Sequence, residues 1–287
     1  MPRDLSDVLH YFMPELGAKD APGAEVRSSR NSVEHTLPQA THSPTPTSPR
    51  PRQGDEALPL AAIIIDDREV VRASLIAGLA DEIAALGGDA TILTPRTHDC
   101  ESLFPLMDCS PAHPEQSAVR VLISEAQNLA ELHQAATEVA RDRAGAGDGV
   151  VIVRIPPNWL RGAEEATELL DWLLLITATD TRNLADTYAM AARVWAENPS
   201  AEIGVTIYGA EGRREAEDAF GTLAQSAEQR LGQTLACYGL LVEDLDVYRA
   251  IVAREPIGRT NGNSIAAHAL REAAKLVFER ARKAEFQ

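Results

Sequence analysis

The residues best suited to chemistry stand at one strand-to-helix turn. The apolar run Leu60–Ile65 leads into Asp66-Asp67-Arg68-Glu69-Val70-Val71-Arg72-Ala73-Ser74, and a helical pattern continues from Leu75 to Leu86. Such a turn binds phosphate when its backbone N–H groups and the helix dipole face the anion. Arg72 offers a cation for that purpose and Ser74 a hydroxyl. The backbone opposes it. No glycine occurs between Ile65 and Ser74, so the chain cannot wrap close to an anion, and three of the first four turn residues are acidic. Elsewhere no catalytic constellation stands out. His98, Asp99 and Cys100 are contiguous on a loop, whereas a Cys–His dyad needs spatial opposition.

The elements that must hold this turn follow from the pattern of apolar residues. Strands are predicted at Leu60–Ile65, Ala90–Leu93, Ala118–Ile123, Gly149–Ile155, Trp172–Thr177, Glu202–Ile207 and Ala236–Leu241. Several are continuous apolar runs, as expected of strands covered on both faces by helices. Helical patterns lie at Val71–Leu86, Leu129–Arg143, Ala163–Leu169, Asn183–Glu197, Glu211–Leu231, Leu245–Ala253 and Ser264–Lys283. Their alternation with the strands predicts an α/β domain with a mostly parallel central sheet and helices on both faces. Between Thr94 and Ala118 the pattern dissolves into Pro, His, Cys and Asp, which reads as a loop with a short helix.

This domain spans residues 58–287. Residues 17–57 form a Pro/Ser/Thr-rich linker that cannot bury enough apolar surface to fold, so a disordered tail precedes the domain. Residues 1–16 are a short amphipathic segment with Leu5, Val8, Leu9 and Phe12 on one stripe, the form of a docking peptide at the end of a tether. Composition sets further bounds. The formal net charge is −16, which argues against nucleic acid and against anionic membrane, since both draw affinity from Lys and Arg. Membrane contact is at most indirect. Cys100, Cys109 and Cys237 have no metal-ligand spacing and read as reduced thiols of a cytoplasmic protein. No metal site is expected.

Three later segments carry a resemblance. Asp148-Gly149-Val150-Val151-Ile152-Val153-Arg154-Ile155-Pro156-Pro157 is one. Leu173 to Ala189 is the second, with Thr179, Leu184, Asp186 and Tyr188 at characteristic spacing. The third is Tyr238-Gly239-Leu240-Leu241, followed by Asp244, Asp246-Val247, Ala250-Ile251 and Glu255-Pro256-Ile257. Together they resemble the MinD/ParA family of P-loop ATPases (SIMIBI class), most closely its flagellar-number-regulator branch, FlhG/FleN. The family's nucleotide residues can be placed by this resemblance. Its deviant Walker A loop falls on Asp67 to Ser74: the signature lysine becomes Asp67, the phosphate lysine Arg72, and the magnesium-binding hydroxyl Ala73. The second-strand aspartate falls near Leu93-Thr94-Pro95-Arg96. The Walker B aspartate falls at Val153 or Arg154, and the adenine-contacting asparagine at Tyr208. The segment around Asp66 also resembles the opening of a response-regulator receiver, whose acidic pair holds magnesium. A receiver's acceptor aspartate, however, would coincide with Arg154, and the separation from Asp67 is too long for that family.

The resemblance therefore implies a degenerate nucleotide pocket at Asp66, Asp67, Arg72, Ser74, Arg154 and Tyr208, with no cofactor and no catalytic residue. It implies a non-catalytic regulator or scaffold acting through protein partners, in flagellar, polar-localisation or envelope-machinery assembly. An active MinD-like relative or a second copy would be the partner. The alternative is a divergent ATPase that still binds ATP and magnesium. Trp159, after the Pro156-Pro157 turn, belongs either to the core or to a partner interface.

Overall fold

The computed structural model describes residues 57–66, 69–96, 119–161 and 167–284. Leu5, Val8, Leu9, Phe12 and Asp67 lie outside these residues, as do the linker and the loop from 97 to 118.

All seven predicted strands form, in one sheet: β1 (Leu60–Ile64), β2 (Asp89–Pro95), β3 (Arg120–Ser124), β4 (Gly149–Ile155), β5 (Trp172–Ala178), β6 (Glu202–Ala210) and β7 (Leu235–Val242). Their order is β3-β2-β4-β1-β5-β6-β7, and every pairing is parallel. The central strands are buried on both faces, which explains their unbroken apolar sequences. Along β4 the side chains alternate: Val151, Val153 and Ile155 join one core, while Val150 and Ile152 join the other. That alternation sends Arg154 to the second face.

The helices are α1 (Val70–Ala85), α2 (Leu129–Arg143), α3 (Thr181–Glu197), α4 (Arg213–Leu231), α5 (Leu245–Ala253), α6 (Ile257–Asn261) and α7 (Ile265–Ala284). Helices α2, α3 and α4 cover one face of the sheet; α1 and α7 cover the other. Caps set their starts. Asn128 accepts from the Glu131 N–H at 2.9 Å while Glu131 reaches back to the Gln127 N–H at 2.8 Å, which confines α2 to its predicted bounds. Ser264 accepts from the Ala267 N–H at 3.1 Å, so it caps α7 instead of belonging to it. Gly212 is the residue before α4, which shortens the predicted helix by its first two residues.

Three expectations need correction. Strand β2 runs on through Thr94 and Pro95, which sequence reading had placed in the loop. Proline is tolerated there because it closes the strand, where a missing N–H matters least. The described end of the Ala163–Leu169 segment is a short 3₁₀ turn, Thr167–Leu170. Helix α6 has a single turn, too short to show a helical period, and follows Pro256.

Helix α1 is apolar almost all round and packs on the sheet beside α7. It approaches α7 so closely that a Cβ on Gly78 would stand 2.6 Å from Leu270 Cδ2. Its two acidic residues face away from the turn. Glu82 pairs with Arg271 of α7 at 3.0 Å, and Asp81 pairs with Arg259 of α6. These pairs tie the carboxyl-terminal helices to the helix that follows the acidic turn.

Candidate functional site

Strand β1 sends its chain toward β2 on one side and has β5 as its neighbour on the other, while β4 crosses over β1 to reach β5. The crevice at the carboxyl ends of β4, β1 and β5 is thus a topological switch point, the place where open α/β sheets bind ligands. Asp66, Arg72 and Arg154 converge around it. Ser74 and Tyr208 stand on its flank.

The turn after β1 is closed by a bond from the Glu69 N–H to the Asp66 carbonyl at 3.2 Å. Glu69 also turns its carboxylate back over the start of α1. One oxygen accepts the Asp66 N–H at 3.0 Å and the other pairs with Arg72 at 2.7 Å. A carboxylate of the protein itself thus stands beside this helix start, although it caps no N–H of α1. Arg72 is 6% exposed, and its second arm donates to Asn183 Oδ1 at 2.8 Å. The guanidinium that falls at the family's phosphate-lysine position is spent on holding α1 to α3. Ser74 is buried within α1.

Arg154 is 1% exposed and is among the largest fully buried side chains described. Its Nε donates to Thr94 Oγ1 at 2.7 Å, one terminal nitrogen to the Pro95 carbonyl at 2.9 Å, and the other to the Ile65 carbonyl at 3.5 Å. One fork thus joins the carboxyl ends of β1, β2 and β4, where the planar geometry of arginine suits several acceptors at once. A guanidinium keeps its positive charge in a protein interior. It repels a metal ion at the position where the resemblance puts a metal carboxylate.

Across the crevice, Asp180 caps α3 by accepting the Asn183 N–H at 3.1 Å, and the Asn183 side chain donates to it as well. These bonds hold the Asp180 carboxyl below its usual range. A depressed folded-state pKa contributes stability above the unfolded value of about 3.9, and that contribution is lost as pH falls through the folded value. Asn183→Ala should raise the Asp180 pKa toward the ordinary carboxylate value. An NMR titration that finds Asp180 unmoved would exclude this account of the cap.

Tyr208, at the end of β6, lines a small cleft of about 20 Å³ with Val71, Leu75 and Tyr248. Trp159 is half-buried on the turn after β4 and packs against the core of the α2–α4 face. Sequence reasoning missed Asn183, Thr94 and the role of Glu69. Thr94 and Asn183 contact their arginines across 60 and 111 residues of chain, so no local pattern announces them. Among the described residues no group of three or more His, Cys, Asp and Glu side chains is placed to hold a metal.

Among the described residues around the crevice, a carboxylate stands beside the helix start, the arginine near it is paired, and a guanidinium stands where the resemblance puts a metal carboxylate. The fold nonetheless defines a class, the α/β fold of the MinD/ParA ATPases. The MinD of the MinC:MinD cell division complex of Aquifex aeolicus superposes with a TM-score of 0.57 and 13% identity, over 77% of this chain and 96% of its own. The cell division ATPase MinD of Pyrococcus furiosus gives 0.54 and 13%, over 77% and 99%. A ParA family ATPase of Chlorobium tepidum gives 0.53 and 10%, over 76% and 99%. No family model and no curated protein matches the chain. At these identities the likeness is one of fold.

Proposed function

We propose that this chain is a MinD/ParA-type protein, of the flagellar-number-regulator kind, that has given up nucleotide chemistry and works as a regulator or scaffold through protein contacts. The observation that carries the reading is Arg154, buried where the resemblance puts a metal carboxylate and bonded to three strand ends. Glu69, seated over the start of α1, supports it from the phosphate end. Of the proteins sharing the fold, one MinD is seen in complex with MinC, and a ParA of pNOB8 is seen bound to nonspecific DNA. A net charge of −16 favours the first kind of partner over the second. Polar localisation, flagellar assembly or another envelope machine is the setting that the sequence resemblance suggests, in the cytoplasm. Among the described residues no helix is long and apolar enough to cross a membrane.

Calorimetric titration with Mg-ATP tests the reading. No binding heat is expected, and no rise in thermal midpoint with ATP. A ligand at a hundredfold excess over its Kd would add about 2.7 kcal/mol of stability. A micromolar isotherm, or stabilisation of that size, would instead establish a divergent nucleotide-binding ATPase.

A further inference from the structure

Helix α5, Leu-Asp-Val-Tyr-Arg-Ala-Ile-Val-Ala, is apolar apart from Asp246 and Arg249, yet only Ala250 is buried. A helix of that composition normally lies in a core. Here Leu245 (62% exposed), Tyr248 (38%) and Val252 (53%) stand at i, i+3 and i+7, which aligns them in one stripe facing solvent. Ile265, the first residue of α7, is 67% exposed and extends the patch. The Asp244 carboxylate joins the two helix starts, accepting the Asp246 N–H at 2.9 Å and the Ala266 N–H at 3.1 Å. Nine large hydrophobic side chains are exposed among the described residues, and four of them belong to this patch. Clustering of that kind marks a contact surface, where single exposed residues would not.

Arg249, at i+4, borders the stripe with its side chain 65% exposed, and its charge is met within the helix. Arg249 pairs with Asp246 at 2.8 Å, and Asn261 donates to the other oxygen of Asp246 at 2.6 Å. Beside the stripe is the cleft of Tyr208 and Tyr248, whose charged lining residues are Glu243 and Asp244. The negative charge of Glu243 adds to burial in pushing the Tyr248 hydroxyl up. Apolar anchors at helical spacing therefore border an acidic cleft on a chain of net charge −16. A second copy would bring the same carboxylates and the same net charge against it. A cationic helix meets neither objection.

We propose that Leu245, Tyr248, Val252 and Ile265 form the docking face for a basic amphipathic helix of a protein partner. Its apolar residues lie on the stripe and a Lys or Arg pairs with Glu243 at the mouth of the cleft. This rests on the reading of the chain as an interaction protein, and names the chemistry of what it meets.

The test uses the full chain and two fluorescein-labelled helical peptides of one apolar pattern, one of Leu and Lys, the other of Leu and Glu. Anisotropy should show binding of the Leu/Lys peptide, weakening as salt is raised, and none of the Leu/Glu peptide. Leu245→Ser with Val252→Ser should cost about tenfold or more in affinity. Glu243→Gln should weaken binding less, by removing the charge and keeping the apolar face. Circular dichroism and thermal midpoints confirm that the variants fold; both sites are on the surface, so little loss is expected. Failure of the wild type to bind, or equal binding by the double variant, overturns the proposal. So does a wild-type dimer in sedimentation that the double variant abolishes, since a second copy would then cover the stripe. The Mg-ATP titration is a separate readout: binding of ATP overturns the scaffold reading, while failure of the peptide alone overturns only this face.

Discussion

Arg154→Met should lower the unfolding free energy by about 1–3 kcal/mol, the cost of taking the donor away from buried acceptors. The methionine fills much of the volume but donates nothing. Thr94 Oγ1 and the carbonyls of Pro95 and Ile65 lose the donor that now serves them, and a buried acceptor left without a partner costs about 1–3 kcal/mol. All three lie at strand ends, so the loss is concentrated where β1, β2 and β4 hand over to their loops. Arg154→Lys should recover only part of it, because a point ammonium cannot reproduce the planar fork. Urea denaturation at constant m-value measures both variants. A change below roughly 1 kcal/mol for the methionine variant, an ordinary surface-type effect, would show that the arginine does not hold these strand ends together.

Gly204→Ala should be the second large effect. A Cβ at Gly204 would stand 1.8 Å from two atoms of the Tyr238 ring on the neighbouring strand β7. The ring must move, and with it goes the bond from Trp172 Nε1 to the Tyr238 hydroxyl at 3.2 Å. Overpacking of a well-filled site costs about 1–3 kcal/mol. The consequence can be isolated by a double-mutant cycle. Tyr238→Ala removes the obstacle, so Gly204→Ala in that background should cost far less than in the wild type. The tryptophan emission reports the lost bond independently. Equal costs in the two backgrounds would show that the ring is not what confines this position to glycine.

Both effects arise at close approaches between distant parts of the chain, and this decides how much was legible beforehand. Strands β1 and β4 could be read because burial on both faces demands apolar runs, which Leu60–Ile64 supplies throughout and Gly149–Ile155 supplies but for Arg154. Helix α2 could be read to the residue from its apolar pattern, and the structure adds the Asn128–Glu131 cap that starts it. The extension of β2 through Pro95 was not legible, because proline in a sequence signals a break unless the partner strands are known. The site divides in the same way. Asp66, Arg72, Arg154 and Tyr208 could be assigned to one end of the sheet, since each follows or ends a strand or starts the next helix. What their side chains do there was hidden. Arg72 read as a free cation, and the structure shows it committed to Glu69 and Asn183. The stripe on α5 was half visible: its sequence is mostly apolar, but only the packing leaves Leu245 and Val252 in solvent.

The amino-acid sequence by itself determined the elements and their class, because helix and strand periods, caps and buried runs are local properties of neighbouring residues. It also determined that the turn after Ile65 lacks the glycines of a phosphate cradle. Only the tertiary structure decided what stands in place of a ligand. Side chains are matched to acceptors by the folding of the sheet, which brings Thr94, Ile65 and Arg154 to one point and lays Glu69 over its own helix start. Parallel strands gather their carboxyl ends from residues far apart in the chain. The partners of a charge placed there are therefore a property of the fold, and no spacing in the sequence encodes them.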